Sequence, residues 1–162
     1  MSEPAQPASD WKRNLVVAAV VVGGVLLLGL IASATIPRWW AQRIGDQVDG
    51  SIVAGTLVGL FYGFVFTFLP LLVLAAVFRW RRTWRALAVA GALAILLAIP
   101  NLLTLGIVLG TGNAAHAGER TLDVEAPAFR GASLAGALLA AGLILFVGYL
   151  MYSRRRPRAE PA

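Results

Sequence analysis

Few residues of this 162-residue chain are suited to chemistry, and they fall into two sets. His116, the only histidine, is followed by Glu119, Asp123 and Glu125. An imidazole and three carboxylates can bind a divalent cation, but these intervals fit no helical metal motif. A solvated acidic loop accounts for them more simply. Asp46-x-x-Asp49-Gly50 offers two carboxylates and a glycine in the style of a calcium loop, without the remaining ligands. The second set is uncharged. Pro100 and Asn101 stand together in a long apolar run, Thr104 follows one turn later, and Tyr62 lies in another run. Proline withholds a donor from the carbonyl four residues earlier, which is Leu96 for Pro100 and Phe66 for Pro70. A kink at Pro100 would let Tyr62, Asn101 and Thr104 line a candidate polar cavity for a neutral solute or lipid. Interhelical hydrogen bonds, worth about 0.6 kcal/mol each on average in a membrane, are the simpler reading.

Other chemistry is missing. There is no cysteine, which removes disulfides, thiol catalysis and thiolate metal sites. No nucleophile stands beside a base in an apolar run, and there is no phosphate-binding loop or dinucleotide fingerprint. The embedded Glu of small multidrug transporters is absent from the first apolar run, and the Ser–His pair of rhomboid-type proteases is absent because no predicted span contains His. The expectation is a non-enzymatic chain with no catalytic residue, cofactor or resident metal.

The elements that must position these residues are set by charge. Residues 14–37, 51–78, 86–118 and 131–153 contain no Asp, Glu, Lys or Arg, although the chain has 22 such residues. A charge at the bilayer centre costs about 2.5–3.5 kcal/mol on insertion scales, and about 20 apolar residues cross the hydrocarbon core. The partition predicts an all-α, polytopic four-transmembrane-helix bundle, one integral membrane domain over 1–162. Its spans fall at approximately 14–37, 51–78, 86–110 and 131–153, with tails 1–13 and 154–162. At about 1.5 Å per residue, Asn101, nine residues from Gly110, and Tyr62, nine from Val53, lie at similar depth.

Charge also predicts orientation. Lys12 and Arg13, then Arg79, Arg81, Arg82 and Arg85, then Arg154, Arg155, Arg156 and Arg158 fall on one side, ten of the fourteen basic residues. The opposite loops mix four arginines with five acids. The positive-inside rule then puts both termini in the cytoplasm, and the abundance of Arg and Ala is that of GC-rich bacteria, making this an inner-membrane protein. Ala32-Ser33-Ala34 resembles a cleavage site, but Leu15–Ile36 is longer than the roughly 7–15 apolar residues of a signal peptide, so a retained helix is expected. The formal charge of +6 sits at span ends, where it meets anionic lipid head groups rather than nucleic acid. The loop with Arg79, Arg81, Arg82 and Arg85 is a candidate docking site for such lipid or an acidic partner, although fixing topology is the simpler explanation.

Trp11, Trp39, Trp40, Trp80 and Trp84 fall near run ends and read as an aromatic belt. In the first opposite loop Pro37 suits a first turn, and the Trp40, Ile44 and Val48 stripe suits a short interfacial helix. In the second, Leu122, Val124 and Ala126 alternate with Asp123 and Glu125, which suits a short extended piece. Gly55, Gly59 and Gly63 share one helix face and permit close helix packing, within the chain or against another subunit. Looser ladders occur at Ala19/Gly23, Gly106/Gly110 and Ala132/Gly136/Ala140, as an Ala-rich chain readily produces. The resulting expectation is an accessory or scaffold subunit with other membrane subunits or copies of itself as partners. The alternative is a small oligomeric permease or channel.

Overall fold

The computed structural model describes residues 11–80 and 83–154. Among these there are five helices and no strand: α1 (Trp11–Val48), α2 (Ile52–Trp80), α3 (Trp84–Leu109), α4 (Asn113–Glu125) and α5 (Phe129–Ser153). All but α4 are long and apolar enough to cross a membrane. Local chemistry ends them. Thr83 caps α3 by accepting a hydrogen bond from the Ala86 amide at 3.3 Å. Asp49 and Gly50 turn the chain out of α1 at φ 49° and 71°, and the Gly50 amide is held by the Glu125 carbonyl at 2.8 Å.

α2 is the centre of the molecule. It runs parallel to α5, with Gly55, Gly59 and Gly63 opposite Pro127, Phe129 and Ser133. It runs antiparallel to α3, with Gly63 and Thr67 opposite Asn101. α4 runs alongside the last third of α1 in the same direction, with Gly118 against Pro37 and Glu125 against Gly45.

Counting about 20 residues, or about 30 Å, from Arg13, Arg79, Arg85 and Arg154 reaches Ser33, Gly59, Leu105 and Leu134. The buried cluster of Trp40, Ala41, Ile44, Val48, Ile107, Leu122, Ala126 and Phe129 lies entirely beyond that level. The helices therefore extend past a bilayer-thick slab into a packed cap. Within the slab, by contrast, α1 is exposed from residue 14 to 31: Val20 and Leu28 are 68% and 67% exposed, and added methyl groups at Gly23, Gly24 and Gly29 would meet no atom within 4 Å.

Three local expectations are corrected. Pro37 does not begin a separate interfacial helix, because α1 continues through it to Val48. The Trp40, Ile44 and Val48 stripe is buried in the cap instead of lying in lipid, with Ala41 completing the face. The second loop is helical, not extended. Ala114, Ala115, Gly118 and Leu122 are its buried face, a helical spacing, while Val124 is 75% exposed.

Candidate functional site

The α2–α5 seam follows from missing side chains. A Cβ at Gly55 would strike the Pro127 carbonyl oxygen, and one at Gly63 would strike that of Ser133. Gly59 approaches the Phe129 carbonyl and Ala132, and Gly136 of α5 approaches the Leu60 carbonyl in return. Backbone meets backbone, which gains dispersion contacts where lipid supplies no hydrophobic drive. Of the looser ladders, the one on α5 joins this seam. Gly23 and Gly106 face open space.

The three residues proposed for a polar cavity each bond to a different place. Asn101 donates through Nδ2 to the Gly63 carbonyl at 3.2 Å and to Thr67 Oγ1 at 2.8 Å, tying α3 to α2. Its Oδ1 is buried and receives no hydrogen bond from the described residues. Thr104 accepts from Trp40 Nε1 at 3.0 Å and donates to the Pro100 carbonyl at 3.0 Å. Tyr62 donates to Gln47 Oε1 at 3.2 Å, and its ring packs edge-on to Trp40 and Phe129. Tyr62 and Thr104 are thus linked through Trp40, at the level where the slab meets the cap. Trp40 is 8% exposed, so its place is structural as well as interfacial. The sequence carried one signal for this. Trp40 shares a stripe with Ile44 and Val48, whereas Trp39 does not.

On the cap surface Arg130 is clamped between Glu119 and Asp123, one turn apart on α4. The hydrogen bond and charge of Arg130 hold the Glu119 carboxyl below its ordinary pKa of 4.5, with His116 Nδ1 a further neighbour at 3.7 Å. Glu125 faces away, toward Gly45. Among the described residues no three His, Cys, Asp or Glu side chains gather as a metal site would require.

Of the candidate docking arginines, Arg85 stacks over the Trp84 ring at 5.6 Å, and Arg79 lines a cavity of about 540 Å³ with Tyr152. Arg81 and Arg82 lie outside the described residues, as do the tails 1–10 and 155–162.

A larger groove of about 580 Å³ lies where α1 parts from the other helices. Its walls are residues 32–34 and 36–38 of α1, Leu102, Leu103 and Gly106 of α3, Gly110 just beyond it, and the first residues of α4. Sequence reading gave no sign of it, since it needs the departure angle of α1. No protein-family model, curated protein or solved structure matches this chain.

Proposed function

We propose that this chain is a non-enzymatic subunit of a bacterial inner-membrane assembly, with both termini cytoplasmic, and that the slab portion of α1 is its docking arm. One observation carries the reading. Residues 14–31 of the arm are exposed throughout in the isolated chain, yet its root is fixed by Trp40, Ala41, Ile44 and Val48 in the cap. A helix so anchored is held in a defined direction and presents a long apolar face. The absence of Asp, Glu and His from the spans 14–37, 51–78, 86–110 and 131–153 supports a role without acid–base chemistry or direct proton coupling. The charge asymmetry of the loops supports the orientation, and Arg79, Arg81, Arg82 and Arg85 would face anionic head groups.

Affinity purification from native membranes, followed by mass spectrometry, tests the subunit reading. The expected result is a stoichiometric membrane partner, or a second copy, that is lost when α1 residues 14–31 are exchanged for a polyleucine span. Recovery of this chain alone as a monomer would refute it.

A small oligomeric permease remains as a second reading, favoured by the unpartnered Asn101 Oδ1. It predicts that proteoliposomes pass a small neutral solute such as glycerol and that Asn101→Leu stops the flux while the protein still assembles. The hydrogen bonds that tie Asn101, Thr104 and Tyr62 to neighbouring helices give more support to a structural role.

A further inference from the structure

The groove beside α1 has features that a packing defect does not need. It straddles the slab boundary: Ser33 and Leu105, the residues at about 30 Å from the basic ends, lie within the stretches of α1 and α3 that form it. The lower wall, from Leu102, Leu103, Gly106 and Ile36, is apolar. An added methyl at Gly106 would meet nothing within 4 Å, so the floor is open there.

The upper rim is positive. Arg38 lies five residues past Ser33, about 7 Å further out, which is the depth of the head-group layer. It has no acidic partner among the described residues, unlike Arg130. Beside it α4 begins at Gly112 without a side-chain cap, and the amides of Asn113, Ala114 and Ala115 have no acceptor among the described residues. Ala114 and Ala115 are nevertheless buried, and all three residues line the groove. Orphan amides at a helix start favour an anion, and a guanidinium favours a phosphate in particular. No Asp or Glu lines the groove to oppose one.

We infer that this groove binds one anionic phospholipid of the surrounding leaflet. Its acyl chain lies against Leu102, Leu103 and Gly106, and its phosphate lies between Arg38 and the first turn of α4. A zwitterionic lipid offers the same chain and phosphate but adds a cation where the rim is already positive, so the charge of the rim selects the anionic class. The inference is independent of what covers the rest of α1.

Native mass spectrometry of the full chain, released from nanodiscs of mixed phosphatidylglycerol and phosphatidylcholine, tests it. The wild type is expected to retain one phosphatidylglycerol. Arg38→Gln should weaken that retention about fivefold, the effect of one basic residue near anionic lipid, and leave phosphatidylcholine unchanged. Arg43→Gln, on the same helix but outside the groove, should behave as wild type. Gly106→Leu, whose Cβ meets no atom within 4 Å, projects its side chain into the groove and should retain no lipid. Circular dichroism and cooperative thermal unfolding verify that each variant keeps its fold. Equal retention by Arg38→Gln and Arg43→Gln, or wild-type retention by Gly106→Leu, overturns the inference.

Discussion

α1 and α2 are similar on paper and opposite in the fold. Both are long and apolar, and both carry small residues four apart: Ala19 and Gly23 in one, Gly55, Gly59 and Gly63 in the other. The glycines of α2 press on the α5 backbone, while Gly23 meets nothing within 4 Å. Small residues permit close approach but do not bring a helix to it. The cap makes the difference. It seats the end of α1 against α4, and α4 in turn packs on Ile107 of α3, so α1 leaves the cap away from the α2–α5 seam. α2 and α5 instead meet directly below Pro127. One apolar helix is thereby spent on internal packing, and the other is left available.

This contrast is open to attack by mutation. The largest effect is expected in the cap. Trp40→Ala should cost about 3–5 kcal/mol by leaving a cavity and removing the donor to Thr104 Oγ1, whereas Leu28→Ala in the arm should leave the isolated chain unchanged. Reversible unfolding in bicelles measures both, and equal costs would erase the distinction between root and arm. Next comes the seam. Gly63→Leu should cost about 3 kcal/mol, because the new side chain meets the Ser133 backbone, and Gly23→Leu should cost nothing in the same assay.

A smaller effect sharpens the comparison at the slab boundary. Asn101→Leu gives up two hydrogen bonds but also removes a buried, unpartnered oxygen, so the net change should stay within about 1 kcal/mol. A much larger loss would mean that the amide does more than tie α3 to α2. The smallest effect is electrostatic. The Glu119 pKa is lowered in the fold, so its ion pair stabilises the cap above 4.5 and the contribution fades as pH falls through the depressed value. Glu119→Gln should lower the cap's stability slightly at neutral pH, flatten the acid side of its profile and converge with the wild type at low pH. Tryptophan fluorescence against pH would detect this.

The sequence made the four long apolar helices legible because lipid penalises charge wherever a span faces it, and the charge-free runs are what that penalty leaves. The cap was much less legible. Trp40, Ile44 and Val48 look the same whether lipid or another helix covers them, since both are apolar surroundings, and only tertiary packing decides. In α4 the alternation around Asp123 competed with the helical spacing of Ala114, Ala115, Gly118 and Leu122. The helical pattern won because it buries a continuous face against α1. Asn101 and Thr104 could be placed at a common depth by counting residues, but their partners Gly63, Thr67 and Trp40 depend on how helices rotate about their axes. That rotation leaves no mark in a single sequence when nearly every face is apolar.

The central claim is that the slab portion of α1 is covered by another chain. The native sequence lacks cysteine, so single cysteines can carry a photo-cross-linker without background. The direct test places one at Leu28 of α1 and one at Leu138 of α5, which are similarly exposed at 67% and 65%, and irradiates native membranes. The account predicts that Leu28→Cys forms a discrete adduct with another membrane protein or a second copy, while Leu138→Cys captures lipid alone. Cross-links from Leu28→Cys to α2, α3 or α5 of the same chain, or identical lipid-only products from both sites, would contradict it.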